Sequence, residues 1–297
     1  MKLALGTAQF GLNYGISNKS GRVPLSEIKC ILKHAEQSGI KLIDTAALYG
    51  ESEKALGDSG CLNNFNIVTK SPTFSGIKKL KKKHSEILKQ SLWNSLQLLK
   101  LEGVYGLLIH HAEDLLKEGS ERLIDTLQNL QQMKWLKKIG VSVYNGKQID
   151  EIIRRYPSID IIQLPLNVLD QRLITSGHIL ELKKRNIEIH SRSVFLQGLL
   201  LMKNCELDPY FSPILSHLYD YTKAIEKYEL TRLQAALLFA MQIKEIDNIL
   251  IGVTSSQQLQ EIIKAYEELS DKKIDFSFAT LQDERFINPI MWKLSEC

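Results

Sequence analysis

Two hydrophobic rhythms alternate along the chain. Short apolar runs bounded by polar turns recur at 3–7, 40–43, 65–69, 104–109, 137–141, 159–164, 186–190 and 248–252, and their length and composition predict β-strands. Between them the period lengthens to that of an amphipathic helix, at 25–38, 51–58, 84–100, 120–133, 146–156, 173–185, 214–228 with 231–243, and 256–270. In the first helix Leu25, Ile28, Ile31, Leu32 and Ala35 follow i, i+3, i+4 spacing, and Gly39 stands just past its end as a cap. Eight alternations without a linker rich in Pro, Gly or Ser predict an α/β fold over 1–297, a (β/α)8 TIM barrel. A doubly wound open sheet is the alternative. The tail after about residue 271 fits no ninth unit. Its Asp275-Phe276-Ser277-Phe278 and Pro289-Ile290-Met291-Trp292 are apolar enough to pack on the barrel or line a substrate mouth.

Three of the predicted strands end on ionisable residues. Asp44 follows the second, Lys70 closes Ile67-Val68-Thr69-Lys70 and His110 closes Leu107-Leu108-Ile109-His110, with Tyr49 a few residues beyond Asp44. In a parallel barrel these four side chains converge on the C-terminal face, where barrel enzymes do their chemistry. Each has a structural explanation when taken alone: a loop cap, rim packing, a solvated strand end, a hydrogen-bonded histidine. Their joint placement points to one site. A tyrosine hydroxyl in water ionises near pH ~10, and an ammonium beside it favours the phenolate while a carboxylate orients the ammonium. A histidine alongside can donate to a carbonyl oxygen. Such a set supplies a general acid next to an oxyanion site, as carbonyl reduction requires.

Composition narrows the class. With 44% hydrophobic and 24% charged residues the chain has the balance of a soluble globular protein, which excludes fibrous and disordered classes. Net charge is only +4, and the one dense cluster, Lys78 to His84, precedes a helical pattern without aromatic or glycine-rich companions. It reads as a solvated helix entry rather than a nucleic-acid patch, with attraction of an anionic ligand as the alternative. Cys30, Cys61, Cys205 and Cys297 form no CxxC pair and are expected as reduced thiols. No signal segment opens the chain and no run of ~18 apolar residues occurs, so the expectation is a cytoplasmic protein with neither membrane nor nucleic-acid partners.

Common motifs fail on inspection. No GxGxxG follows the first strand. The spacing from Gly140 to Gly146-Lys147-Gln148 is one too long for a phosphate loop, and Gln148 replaces the Ser or Thr. Gly140-Val141-Ser142-Val143-Tyr144 lacks the final glycine of a nucleophile elbow. His110 and His111, adjacent in a strand, would point to opposite faces and share no metal, so no metal site is expected.

Asp44-Thr45-Ala46-x-x-Tyr49-Gly50-x-Ser52-Glu53-x-x-Leu56-Gly57, followed by Lys70 and His110, is similar to the signature and catalytic tetrad of the aldo/keto reductase family. The similarity runs from Gly6-Thr7 to about residue 270. The opening Gly6 to Gly15 further resembles a branch associated with sugar and polysaccharide pathways. The resemblance implies NAD(P)H-dependent reduction of an aldehyde or ketone on a (β/α)8 barrel, with Tyr49 as proton donor and a small sugar-like or other polar carbonyl as partner.

It also implies cofactor contacts. Ser142 and Gln163 match the residues that hold the nicotinamide carboxamide, with Val143 where an Asn is usual. Gly6, Thr7, Ser193 and Gly198 match loops beside the cofactor. Gly252, Val253, Thr254, Gln258 and Glu261 lie in a stretch similar to the adenosine phosphate loop, where a helix starting near 256 would offer N–H groups to an anion. Gly252 and Gln258 stand where NADP-selective members carry Lys or Arg, and Ile262 replaces an Asn. NADPH is the expected cofactor and NADH the alternative. The rival activities are an NAD-dependent aldose dehydrogenase and a redox-sensing subunit with little turnover. Arg192 stands where relatives place an aromatic ring. It is expected to turn aside to a carboxylate, or to face the nicotinamide or a substrate anion.

Overall fold

The computed structural model describes residues 2–269 and 272–295, so Cys297 and the end of the last predicted helix lie outside the described residues. Eight parallel strands close into a barrel in sequence order: β1 Leu3–Gly6, β2 Leu42–Asp44, β3 Asn66–Lys70, β4 Val104–Ile109, β5 Leu136–Ser142, β6 Ile161–Pro165, β7 Glu188–Arg192 and β8 Asn248–Gly252. The fold is the (β/α)8 TIM barrel, and the open sheet is excluded because β1 pairs with β8 as well as with β2. Several strands sit one or two residues later than the apolar runs suggested, since β2, β3 and β7 take in Asp44, Lys70 and Arg192 themselves.

Side chains alternate along each strand, which divides the core in two. The larger part lies between barrel and helices. In the first helix, Leu25–Gln37, it takes Ile28, Ile31, Leu32 and Ala35, each worth ~1.5–3 kcal/mol for the larger side chains. Leu25 departs from the expected apolar face and is exposed, because the first turn projects past the core. The smaller part fills the lumen: Ala4, Leu42, Val68, Leu108, Ile161 and Leu250. The helix expected over 173–185 is two pieces, Arg172–Thr175 and His178–Lys184, split where Gly177 takes a φ of 79° that helix cannot accommodate.

The tail meets both expectations. Phe276, Phe286 and Ile287 are buried, and the Leu281 N–H donates to the Leu169 carbonyl at 2.9 Å. Pro289 and Ile290 reach a cavity at the barrel mouth. Lys78, Lys79 and Lys81 to Lys83 are exposed at the helix entry as expected, with Lys79 paired to Glu118. Among the described residues no helix is long and apolar enough to cross a membrane, and Cys30, Cys61 and Cys205 are free thiols.

Candidate active site

Two residues beyond each lumen side chain, the same alternation brings a residue to the C-terminal mouth. Above Ala4, Leu42, Val68, Leu108, Ile161 and Leu250 stand Gly6, Asp44, Lys70, His110, Gln163 and Gly252. Ser142 from β5 and Arg192 from β7 complete a ring of eight, in register with Gln163 and Pro165 of β6. The predicted site residues on strands are therefore one layer of the barrel.

Asp44 and Lys70 form its centre. Lys70 Nζ lies 2.5 Å from Asp44 Oδ2, 2.9 Å from the Thr45 carbonyl and 3.4 Å from the Tyr49 hydroxyl. The second carboxylate oxygen, Oδ1, accepts from Gln163 Nε2 at 2.7 Å. Burial alone would lower the Lys70 ammonium, but Asp44 and Tyr49 outweigh it and hold its pKa above the ordinary lysine value. Lys70 is thus a fixed cation, 4.9 Å from the centre of the Tyr49 ring.

Tyr49 is held by a tight turn. Its N–H donates to the Ala46 carbonyl and its own carbonyl accepts from Ser52 N, each at 3.0 Å. Gly11 packs flush on this turn, and a Cβ there would sit 1.7 Å from the Tyr49 carbonyl oxygen, so only glycine fits. Below the turn, Thr7 Oγ1 donates to the Asp44 carbonyl and Ser52 Oγ donates to Thr7 Oγ1, both at 2.9 Å. The Thr7 hydroxyl is spent on this buried brace, which joins β1 to the Asp44–Tyr49 turn. Behind β3, Thr69 Oγ1 donates to Glu53 Oε1 at 2.6 Å, and burial pushes the Glu53 carboxyl up.

His110 meets Tyr49 edge-on, with ring centres 5.8 Å apart. Burial first, then the charges of Lys70, His111 and Arg192, push its imidazole down to about 3, so it is neutral across physiological pH. The His110 backbone N–H donates to Ser71 Oγ at 3.1 Å, whereas the buried ring Nδ1 has no partner. His110 lies just past the end of β4, and its ring stacks on His111 at 5.1 Å, contrary to the opposite-facing arrangement expected within a strand. No metal-holding group of His, Cys, Asp or Glu occurs among the described residues.

From this ring a cavity of about 820 Å³ runs outward over the ends of β7 and β8. Its lining includes Gly6, Thr7, Asp44, Tyr49, His110, Ser142, Gln163 and Arg192 at the Tyr49 end. Ser193 and Gly198, and Val253, Thr254, Gln258 and Glu261 beyond Gly252 of the ring, line the rest. Its size falls within the ~300–1,000 Å³ of ligand sites. Ser193, Leu196 and Gln197 have positive φ angles of 63°, 46° and 54°, a strain that non-glycine residues keep chiefly at functional loops.

Two expectations about this cavity are corrected. Arg192 does not turn to a carboxylate: it donates to the Val143 carbonyl at 3.0 Å and to Ser193 Oγ at 3.3 Å, and stacks 4.3 Å over the Tyr144 ring. The helix Ser256–Glu268 does not present its first N–H groups freely. Ser256 N donates to the Glu27 carboxylate at 2.5 Å and Gln258 N to Ser255 Oγ at 3.2 Å, while Gln258 Oε1 accepts from Thr254 N at 2.8 Å. The anion at that terminus is the protein's own.

Sequence reading missed Tyr144, Tyr14 and Glu27. Tyr144 had a signal, since it lies two places past Ser142 and shares its face. Tyr14 comes from the β1 loop, and Glu27 from a helix 229 residues away in sequence, so neither had one.

Comparison with known proteins agrees with the geometry. The family model described as "Aldo/keto reductase family" matches residues 2–276. No curated protein matches the chain. Among solved structures it is similar to the aldo-keto reductase AKR11C1 from Bacillus halodurans in its holo form, at 17% identity and a TM-score of 0.71, covering 91% of this chain and 89% of that one. It is also similar to PA4992 of Pseudomonas aeruginosa, assigned to the aldo-keto reductases, at 18% identity, a TM-score of 0.65 and 90% of each chain. With the family model spanning nearly all of it, the chain belongs to the aldo/keto reductase family and is an NAD(P)-dependent oxidoreductase acting on carbonyl compounds.

Proposed function

We propose that this protein reduces an aldehyde or ketone on a small, polar, sugar-like molecule, with Tyr49 as the proton donor. The observation that carries the reading is the single Lys70 ammonium shared between the Asp44 carboxylate and the Tyr49 hydroxyl, beside a neutral His110. When bound, the dinucleotide supplies the hydride that becomes the new C–H bond. The carbonyl oxygen accepts the Tyr49 proton as the C=O double bond becomes a single bond, and the phenolate left behind faces the Lys70 cation. His110, lacking a second proton at neutral pH, orients the carbonyl by a hydrogen bond and is no rival acid. Asp44, held from both sides by Lys70 and Gln163, fixes the ammonium in place.

Residues toward the cofactor fit the same reading. The Ser142 hydroxyl and the Gln163 carbonyl oxygen, whose amide nitrogen already serves Asp44, would hold the nicotinamide carboxamide. Ser193 and Gly198 would flank the bridging phosphates, and Gly6 and Thr7 would lie beside the cofactor at the Tyr49 end. Gly252, Val253, Thr254, Gln258 and Glu261 would enclose the adenosine end. Three free thiols support a reducing, cytoplasmic setting.

NADPH follows from family usage. A second reading, NADH, is favoured by one observation: the Glu27 carboxylate occupies the helix terminus at the adenosine end, and Glu261 lines the cavity close by. Kd values for both reduced cofactors decide between them.

Tyr49→Phe tests the central assignment. The variant should bind cofactor with little change while kcat for carbonyl reduction falls ~10²–10⁴-fold, followed by the absorbance of the reduced nicotinamide across a carbonyl panel. Near-normal kcat would overturn Tyr49 as the acid. Cofactor binding without turnover of any carbonyl by the unaltered protein would favour the redox-sensing alternative.

A further inference from the structure

Charges at the catalytic end do not balance. Asp44 and Lys70 cancel one another at 2.5 Å, both buried. His110 is neutral at physiological pH. That leaves the Arg192 guanidinium, half-buried in the cavity wall, with no carboxylate within ion-pair distance among the described residues. The other arginines with comparable burial are committed. Arg172 is paired with Asp170 and Glu284, and Arg232 donates to Met202, Asn204 and Thr222.

Arg192 is also prepared for a ligand. A guanidinium has five N–H donors, and the protein engages two of its nitrogens, at Val143 and Ser193. The stack on Tyr144 and the bond to the Val143 carbonyl fix the plane of the fork, so little side-chain freedom remains to be lost on binding. Tyr14 lines the same end, and its phenol O–H is a donor at neutral pH.

We infer that the carbonyl substrate carries an anionic group, a carboxylate or a phosphate ester, which Arg192 receives while the carbonyl lies on Tyr49 and His110. The inference rests on the reductase reading and deepens it by naming the substrate class. The fork geometry matches the two oxygens of either anion, and the charge-assisted bonds would give register as well as affinity. A neutral sugar would leave the cation buried beneath it without a counter-charge.

The test compares matched carbonyls that differ by one anion: glyceraldehyde with glyceraldehyde 3-phosphate, and butanal with succinic semialdehyde. In the unaltered protein kcat/KM should favour the charged member of at least one pair, and which pair wins separates phosphate from carboxylate. In Arg192→Met that preference should fall roughly ten- to a hundredfold, the worth of hydrogen bonds to a charged group, and Arg192→Lys should restore part of it. The ratio within a pair is the readout. Calorimetric titration of succinate and of inorganic phosphate into the cofactor-bound protein reads the anion site without turnover, and binding should be lost in Arg192→Met. An unchanged ratio would overturn the inference. So would equal loss for both members together with weaker cofactor binding, which assigns Arg192 to the dinucleotide. Arg192-dependent anion binding with no turnover of any carbonyl would support the anion site and reject the reductase reading instead.

Discussion

The barrel has a polar layer at each end of its lumen, and the two are built differently. At the N-terminal end, Glu188 accepts from Tyr105 at 2.7 Å, His190 at 2.7 Å and Asn248 at 3.0 Å, and is paired with Lys138. Burial alone would raise its carboxyl, but the bonds from His190 and Lys138 hold it at about 2. At the C-terminal end the Tyr49 hydroxyl and the Arg192 guanidinium face the cavity and keep unused hydrogen-bonding capacity. Both layers sit on one apolar layer, on the same eight strands, with the same period. A polar layer gathered on one saturated carboxylate, with only the buried His190 Nδ1 left over, plugs the barrel. One that leaves selected bonds open, around a fully satisfied Asp44–Lys70 core, has something left to offer a ligand.

The largest expected effect comes from breaking that core. Lys70→Met would leave the Asp44 carboxylate buried with Gln163 as its one side-chain donor, and an unpaired buried charge costs ~3–5 kcal/mol. Urea unfolding should show a loss of that order, and carbonyl reduction should collapse with it. The double variant Asp44→Asn, Lys70→Met should recover most of the stability and none of the turnover. Recovery of both would mean that Lys70 serves only to neutralise Asp44.

The closed layer should answer differently. Glu188→Gln keeps the shape but strips charge from bonds worth ~1.5–3 kcal/mol each, and stranding Lys138 adds to the cost. Stability should fall by about one such bond while kcat stays within a few-fold of normal. Because the folded carboxyl is held below its unfolded value, its contribution is present above about pH 4.5 and is lost as pH falls toward about 2. The variant should lack that part of the acid transition. A large loss of kcat with intact folding would show that the two layers are coupled.

How much of this was legible in the sequence follows from range. Lys70 and His110 could be placed because an apolar run and the polar residue closing it are neighbours, and parallel strands align their ends. Asp44 and Arg192 were also placed at strand ends, but the bounds of β2 and β7 shifted by up to two residues, because polar residues there lie inside strands, where lumen space rather than hydropathy decides. Tertiary contacts were silent. The Glu27 cap on the helix starting at Ser256, the Tyr144 stack under Arg192 and the Gln163 brace on Asp44 each join residues from different strand–helix units. The break at Gly177 falls inside the helix predicted over 173–185, where hydrophobic spacing alone runs through it.

The smallest effect separates the two layers by pH. His110 is held neutral in the folded protein, its imidazole down at about 3, whereas in the unfolded chain it takes a proton near pH ~6.5. The direction follows from linkage. Below pH ~6.5 the unfolded state binds a proton that the folded state refuses, so stability falls as pH drops from there toward about 3. One pH unit into that window, near pH 5.5, the contribution is at most ~1.4 kcal/mol, and residual water access reduces it. Glu188 contributes nothing there, because its window opens only near its unfolded value. The urea midpoint should therefore drop between about pH 8 and pH 5.5 in the unaltered protein and in Glu188→Gln alike. In His110→Gln the drop should shrink. If it is the same size in all three, His110 shares its site with enough water to titrate normally, and becomes a rival to the acid role proposed for Tyr49.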